Sequence, residues 1–316
     1  MPPHALPDFR AIEAAAARIA PHAHRTPVMR SRSLDALAGV ELHFKCEHLQ
    51  RVGAFKFRGA CNAVWSLDEG EAARGVVTHS SGNHGAALAL AARTRGIPAH
   101  VVVPEGAVRS KLAAIEAYGA TLHRCAPTMA AREEAAERVR RATGAVFVHP
   151  YTDPRVIAGQ GTAALELMRE VEGLDALVAP IGGGGLIGGS ALAARALAAG
   201  IAVFAAEPSG AADAYESLRR GTRATDIAPD TVCDGLRGTI GAINLELLEA
   251  CAVRVLTVAD ADTLAAQRLI AARLKQVVEP SAAIALAAVF AHRDAFAGRR
   301  VGIILSGGNI DARTES

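Results

Sequence analysis

Aromatic residues are scarce in this 316-residue chain, at 4% of the total with a single tryptophan. A one-sided charge is missing too: 34 lysines and arginines face 32 aspartates and glutamates, for a formal net charge of +2. A nucleic-acid footprint needs a basic excess gathered on one face. Here the arginines are scattered among acids and alanines, as on solvated helix surfaces. No nucleic-acid partner is expected. Cysteine supplies no framework, because Cys46, Cys61, Cys125, Cys233 and Cys251 are odd in number, widely spaced and free of any C-x-x-C pair. That excludes a disulfide scaffold and a cysteine-ligated zinc. A long unbroken apolar run is also absent. Residues 176–194 carry no charge over 19 positions, nominally a membrane length, but Pro180 and six glycines cut the stretch into a strand, a loop and a helix start. The first twenty residues place prolines and charges where a secretory signal needs an apolar core. A soluble, cytoplasmic protein with no membrane partner is the expectation.

What is present is length enough for a large core, and for two lobes rather than one. Short β-branched runs alternate with alanine-rich stretches. "GVVTHSS", "AHVVVPEG", "FVHP", "ALVAPIGG", "AVFAAEPS", "VRVLTV" and "VGIILSGG" read as buried parallel strands bounded by glycine or proline. "HGAALALAARTRG", "VRSKLAAIEAYG", "AAREEAAERVRRATG" and "GSALAARALAAG" read as the helices between them, several ending in glycine. The pattern implies an α/β protein whose parallel sheets are covered on both faces. Lobe boundaries are expected near residues 75 and 150, so that 1–74 with 150–316 form a large lobe and 75–149 a small one. Ligands of such sheets sit beyond the carboxyl ends of the strands. The strand ends "HSSGNHG", "PIGGGG", "AAEPSG" and "LSGGN" are therefore the places to look.

"PIGGGGLIGG" follows a strand and opens a helix, so its bare backbone N–H groups make a phosphate cradle reinforced by the helix dipole. Four consecutive glycines, Gly182 to Gly185, cost folding entropy that a plain loop would not justify. The stretch also satisfies G-x-G-x-x-G through Gly183, Gly185 and Gly188, with Glu207 at the distance of a ribose-binding acid. A nicotinamide (NAD-dependent) dehydrogenase is thus a competitor from another class, and a cofactor-free binding protein is a third. In "HSSGNHGAAL", Ser80, Ser81 and Asn83 can cap a helix and nothing more. Together with Gly82 and His84 they also offer donors suited to a carboxylate and a phenolic oxygen. "LSGGN", Ser306 to Asn309, is in isolation a turn. "GAFKFRGA" spends two of the rare aromatics, Phe55 and Phe57, on the flanks of Lys56. A lysine working as an amine nucleophile gains from apolar walls, since desolvation lowers its pKa; a snorkelling lysine is the plain alternative.

In this order, "GAFKFRGA", "SSGNHG", "GGGGLIGG" and "SGGN" resemble the fold-type II pyridoxal-phosphate family, the tryptophan synthase β-like fold, over about residues 20 to 310. Within it, the likeness is to serine/threonine dehydratases, serine racemases and 3-hydroxyaspartate ammonia-lyases. The resemblance implies that Lys56 forms the Schiff base with pyridoxal 5'-phosphate and that Phe55 and Phe57 keep the imine dry. It implies phosphate binding by Gly182, Gly183, Gly184, Gly185 and Leu186, a bond from Asn83 to the ring's 3-oxygen, and Ser306 at the pyridine nitrogen. A neutral hydroxyl there makes the ring a weaker electron sink, which suits loss of a β-hydroxyl. The substrate carboxylate is expected on Ser80, Ser81, Gly82, Asn83 and His84, with Lys56 taking the α-proton on one face and Ser81 serving as acid/base on the other. Tyr118, Arg132 and His149 match residues that face substrate in the racemases and hydroxyaspartate lyases. Arg132 can form a two-pronged pair with a second carboxylate, or be a solvated helix residue. Glu207, the Ala211 carbonyl and Asp213 match the family's divalent-cation site, a hard-oxygen set suited to magnesium or calcium, against the alternative of a solvated loop.

This sequence departs from the pattern at three places. Ala54 stands where many members have serine, Tyr151 where mammalian-type racemases have asparagine, and Gly238 where those racemases have a substrate-binding serine. The last two weigh against a racemase. The chain also ends soon after "SGGN", so no isoleucine-responsive regulatory domain is expected. The reading is a dimeric, metal-supported ammonia-lyase converting a β-hydroxy amino acid (L-serine, L-threonine or 3-hydroxyaspartate) to a 2-oxo acid and ammonia. Its same-family alternative is a serine racemase with side dehydratase activity.

Overall fold

Parallel strands need crossovers, and here alanine-rich helices provide them. The computed structural model describes residues 6–310. Its strands are β1 (Val28–Met29), β2 (Glu41–Lys45), β3 (Val76–His79), β4 (Ala99–Pro104) and β5 (Thr121–Cys125), followed by β6 (Val146–Phe147), β7 (Ala176–Pro180), β8 (Ala202–Pro208), β9 (Arg254–Val258) and β10 (Arg300–Ile304). Six form a large sheet in the order β1-β2-β10-β7-β8-β9, and four a small sheet in the order β5-β4-β3-β6. Every pairing is parallel except β1 with β2. Among the described residues no helix is long and apolar enough to cross a membrane.

The seven expected strands are found, and β1, β2 and β5 are additions. Polar residues hid the longer two, since "ELHFK" and "TLHRC" lack a continuous apolar run. Lys45 in β2 is nevertheless fully buried. Its ammonium donates to the Thr26 carbonyl and to Glu166, each at 2.7 Å. Glu166 in turn takes two bonds from Arg58, which also grips the fully buried Glu47 through two bonds of 2.7 and 2.8 Å. Charge pairing, not hydrophobicity, lets this segment go inside.

The large sheet carries apolar layers on both faces. On one, the almost wholly buried helix Pro280–Ala291 packs with Phe44, Phe204 and Ile303. On the other lie the helices Pro154–Glu170 and Gly185–Leu197. A third core, with Phe57, Val64, Leu88 and Val103, joins the helix Lys56–Trp65 to the small sheet. The helix Pro154–Glu170 separates the Lys56 helix from the Gly185 helix by a minimal thickness. A Cβ on Gly159 would lie 2.6 Å from the Cα of Gly59, and one on Gly161 would lie 2.7 Å from the Gly189 oxygen. Backbone meets backbone on both sides.

Candidate active site

A cavity of about 410 Å³ is lined by residues at the carboxyl ends of β3, β7 and β10, and all four sequence motifs reach it. Lys56 begins its helix with its Nζ donating to the Pro150 carbonyl at 3.0 Å and 5.1 Å from the Phe55 ring centre. Burial pulls this ammonium down to about 8, against the opposing charge of Glu279. The expectation of two flanking aromatics is corrected. Only Phe55 lines the cavity, while Phe57 is buried in the core shared with the small sheet, 5.0 Å from the Arg51 guanidinium. Successive helical residues turn by about 100°, so neighbours of Lys56 cannot both face its amine.

Ser80, Ser81, Gly82, Asn83 and His84 line the cavity together at the start of the helix Asn83–Arg95. Asn83 is bracketed: its Nδ2 donates to both Glu279 oxygens (3.3 and 3.2 Å), and its Oδ1 accepts from Asn309 at 2.9 Å. Opposite, Gly182 to Leu186 turn from β7 into the helix Gly185–Leu197, and Gly184 takes a φ of +92° that favours glycine. A Cβ on Gly183 would fall 2.3 Å from the Tyr151 ring. Asn244 fixes the turn by donating to the Gly183 and Tyr151 carbonyls at 2.6 and 2.8 Å. Ser306 lies two residues beyond the end of β10, only 3% exposed, and its carbonyl accepts the Phe55 N–H at 2.9 Å. That bond ties the Lys56 loop to the last strand end.

Of the three further substrate-facing candidates, only Arg132 lines the cavity. Its Nε is buried and has no hydrogen-bond partner among the described residues. Tyr118 caps the helix Arg109–Ala117 and packs against the small-sheet core. His149 lies behind the wall, its ring 5.4 Å from that of His79, which takes the lining position. His149 Nδ1 accepts the Tyr151 and Thr152 N–H groups at 3.3 and 3.1 Å, so its proton sits on Nε2. Burial, then the charges of His79 and Lys56, push it down to about 3. His149 is therefore neutral at physiological pH, and burial lowers His79 as well.

Glu207 and Asp213 stand apart from the cavity. They are 0% and 6% exposed, which removes the solvated-loop alternative. Glu207 accepts the Ala214 and Tyr215 N–H groups at 2.7 and 2.9 Å, and Asp213 accepts that of Ile240 at 2.6 Å. Burial, with Asp213 adding to it, pushes the Glu207 carboxyl up to about 8, and burial raises Asp213 as well. Because both Glu207 oxygens are engaged away from the glycine turn, the dehydrogenase alternative loses its ribose partner. No group of three His, Cys, Asp or Glu suited to a metal occurs among the described residues. Ala211, the third member of the expected set, is buried beside them.

Sequence reasoning missed Glu279, His79 and Asn244. Glu279 precedes Pro280 at a helix start, and that Glu-Pro step was the available signal. Asn244 was detectable as a buried amide inside the apolar run "AINLELLEA".

The model of the family described as "Pyridoxal-phosphate dependent enzyme" matches residues 19–307. A β-hydroxyaspartate dehydratase of Paracoccus denitrificans is 48% identical over 306 residues, covering 97% of each chain. A serine racemase of Arabidopsis thaliana is 48% identical over 312 residues, 96% of this chain and 93% of that one. Among solved structures, maize serine racemase superposes with a TM-score of 0.95 at 44% identity, over 98% of this chain and 95% of that chain.

Proposed function

The chain belongs to the pyridoxal-phosphate dependent enzymes, and from that premise we propose that it eliminates water from a β-hydroxy amino acid, yielding a 2-oxo acid and ammonia. The cavity suits the cofactor on its own terms. The Gly183–Gly184 turn has no room for a side chain, since a Cβ there would meet the Tyr151 ring or Asn244, and its bare backbone stands at a helix N-terminus where an anion is favoured. A desolvated lysine amine shares the cavity with it. When bound, pyridoxal phosphate supplies an aldehyde that captures amines and a ring that accepts the electron pair left when the α-proton departs.

The residues divide the remaining work. Gly182 to Leu186 hold the phosphate through backbone N–H groups, Asn83 the phenolic oxygen, and Ser306 the ring nitrogen without charging it. Glu279 orients Asn83. The start of the Asn83 helix receives the substrate carboxylate. Lys56 Nζ, free base above about pH 8, takes the α-proton, and Ser81 holds a hydroxyl proton from its own side of the cavity.

The observation that carries the substrate assignment is Arg132, a cavity-lining arginine with an unpartnered buried N–H. It fits a second carboxylate, so 3-hydroxyaspartate is the preferred substrate. Offered 3-hydroxyaspartate, L-serine and L-threonine, the enzyme turns over the diacid with the highest kcat/KM, measured as 2-oxo acid release. Arg132→Gln lowers kcat/KM for 3-hydroxyaspartate by about 10- to 100-fold and leaves that for serine within about threefold. Equal losses on both substrates overturn the assignment. Release of more D-isomer than 2-oxo acid from L-serine favours the racemase reading, which the serine racemase relatives support.

Glu207, the Ala211 carbonyl and Asp213 are read as a divalent-cation site for Mg²⁺ or Ca²⁺. Two buried carboxylates held toward their neutral forms gain most from a cation. Chelation should lower the melting temperature by about 4 °C, with recovery on adding Mg²⁺ or Ca²⁺. Glu207→Gln should melt at the same temperature with and without chelator.

A further inference from the structure

A second cavity, about 620 Å³, lies toward the amino ends of β9 and β10, opposite the strand ends that carry the active site. Arg254 opens β9 and Arg299 precedes β10. Arg293 and His292 complete a basic wall that holds one acid, Asp294. Elsewhere surface arginines sit on carboxylates, as Arg140 does on Glu137 and Arg300 on Glu41. Among the described residues Arg254, Arg293 and Arg299 form no such pair. Two of them are held by rings instead: the Arg254 guanidinium lies 4.9 Å from the Phe204 centre, and that of Arg293 lies 5.5 Å from Phe290. Stacking leaves the edge N–H donors available. Arg293 spends one on the Leu37 carbonyl at 2.8 Å. His292 donates its Nε2 proton to the Thr257 carbonyl at 3.0 Å, which fixes its ring.

We infer that this cavity binds a phosphate-bearing small molecule through Arg254, Arg293 and Arg299. A single carboxylate satisfies one guanidinium fork, whereas the oxygens of a phosphate serve several forks at once. The volume falls in the range of whole small-molecule sites and exceeds a bare phosphate. Leu256 and Phe290 offer an apolar wall to the rest of an ester. The carboxyl end of the helix Pro280–Ala291 opposes an anion weakly; three full positive charges outweigh it.

The test is calorimetric titration of the cofactor-loaded protein, whose glycine turn is already filled, with inorganic phosphate, AMP and acetate at constant ionic strength. Phosphate and AMP should bind saturably and acetate should not. The variant Arg254→Ala/Arg299→Ala should bind both at least about tenfold more weakly, with turnover unchanged. Tighter binding of AMP identifies a phosphate ester as the occupant, and equal binding identifies the free ion. If the double variant melts early, Arg299→Gln alone must show the loss, since its guanidinium has no hydrogen bond within the described residues. Absence of binding by both phosphate and AMP, or wild-type affinity in the folded variants, overturns the inference.

Discussion

Lys56→Ala should lose turnover by at least about 10⁴-fold, because in the proposed mechanism one amine both anchors the cofactor and moves the α-proton. The same variant loses the visible absorption band of the cofactor-loaded protein while its far-ultraviolet dichroism stays unchanged. A second readout needs no cofactor. The chain has four lysines, Lys45, Lys56, Lys111 and Lys275, so labelled peptides are assigned without ambiguity. Burial that pulls Lys56 down to about 8 exposes its free base above that pH. An ordinary lysine does so only near about 10.4. Amine labelling of Lys56 in cofactor-free protein should therefore rise through about pH 8. A midpoint near that of an exposed lysine would remove the desolvated nucleophile from the mechanism.

Arg58→Ala destabilises the protein by about 3–5 kcal/mol in denaturant unfolding, the typical cost of breaking a buried ion pair from one side. Glu47 is 0% exposed and receives two of the Arg58 bonds. Without the guanidinium its charge keeps, among the described residues, only the Thr26 hydroxyl, at 2.5 Å. Glu166 retains Lys45, so the injury centres on Glu47. Replacing both charges, as in Arg58→Met/Glu47→Leu, should recover more than half of the loss, since apolar side chains of similar volume replace such pairs at little cost. Equal stability of single and double variants would mean that the pair is not the source.

Much of the molecule was legible because glycine and proline punctuate it. The strand ends at Ser80, Gly182 and Ser306 were found from their breakers, and the structure gathers all of them around one cavity. What periodicity could not show is anything held inside by charge. β2 escaped notice because Lys45 is satisfied by Glu166, 121 positions away in sequence. Glu279 was missed for a related reason: its meaning lies in Asn83, a partner 196 positions distant. Local patterns fix where a backbone turns. Which of two successive side chains meets the cavity, as with Phe55 and Phe57, depends on helix phase at a start that the sequence marks only loosely.

The helix Pro154–Glu170, packed between the helix of Lys56 and the helix that follows the glycine turn, acts as a gauge of thickness with two settings. Residues 159 and 161 are two steps apart and so point to nearly opposite sides of their helix. One abuts the backbone behind Lys56, and the other the backbone behind the glycine turn. A methyl at the first should press on the helix that carries Lys56, and a methyl at the second on the helix that follows the glycine turn. On the proposed roles, retention of the cofactor and rate of proton removal should thereby respond separately to these two single-carbon changes.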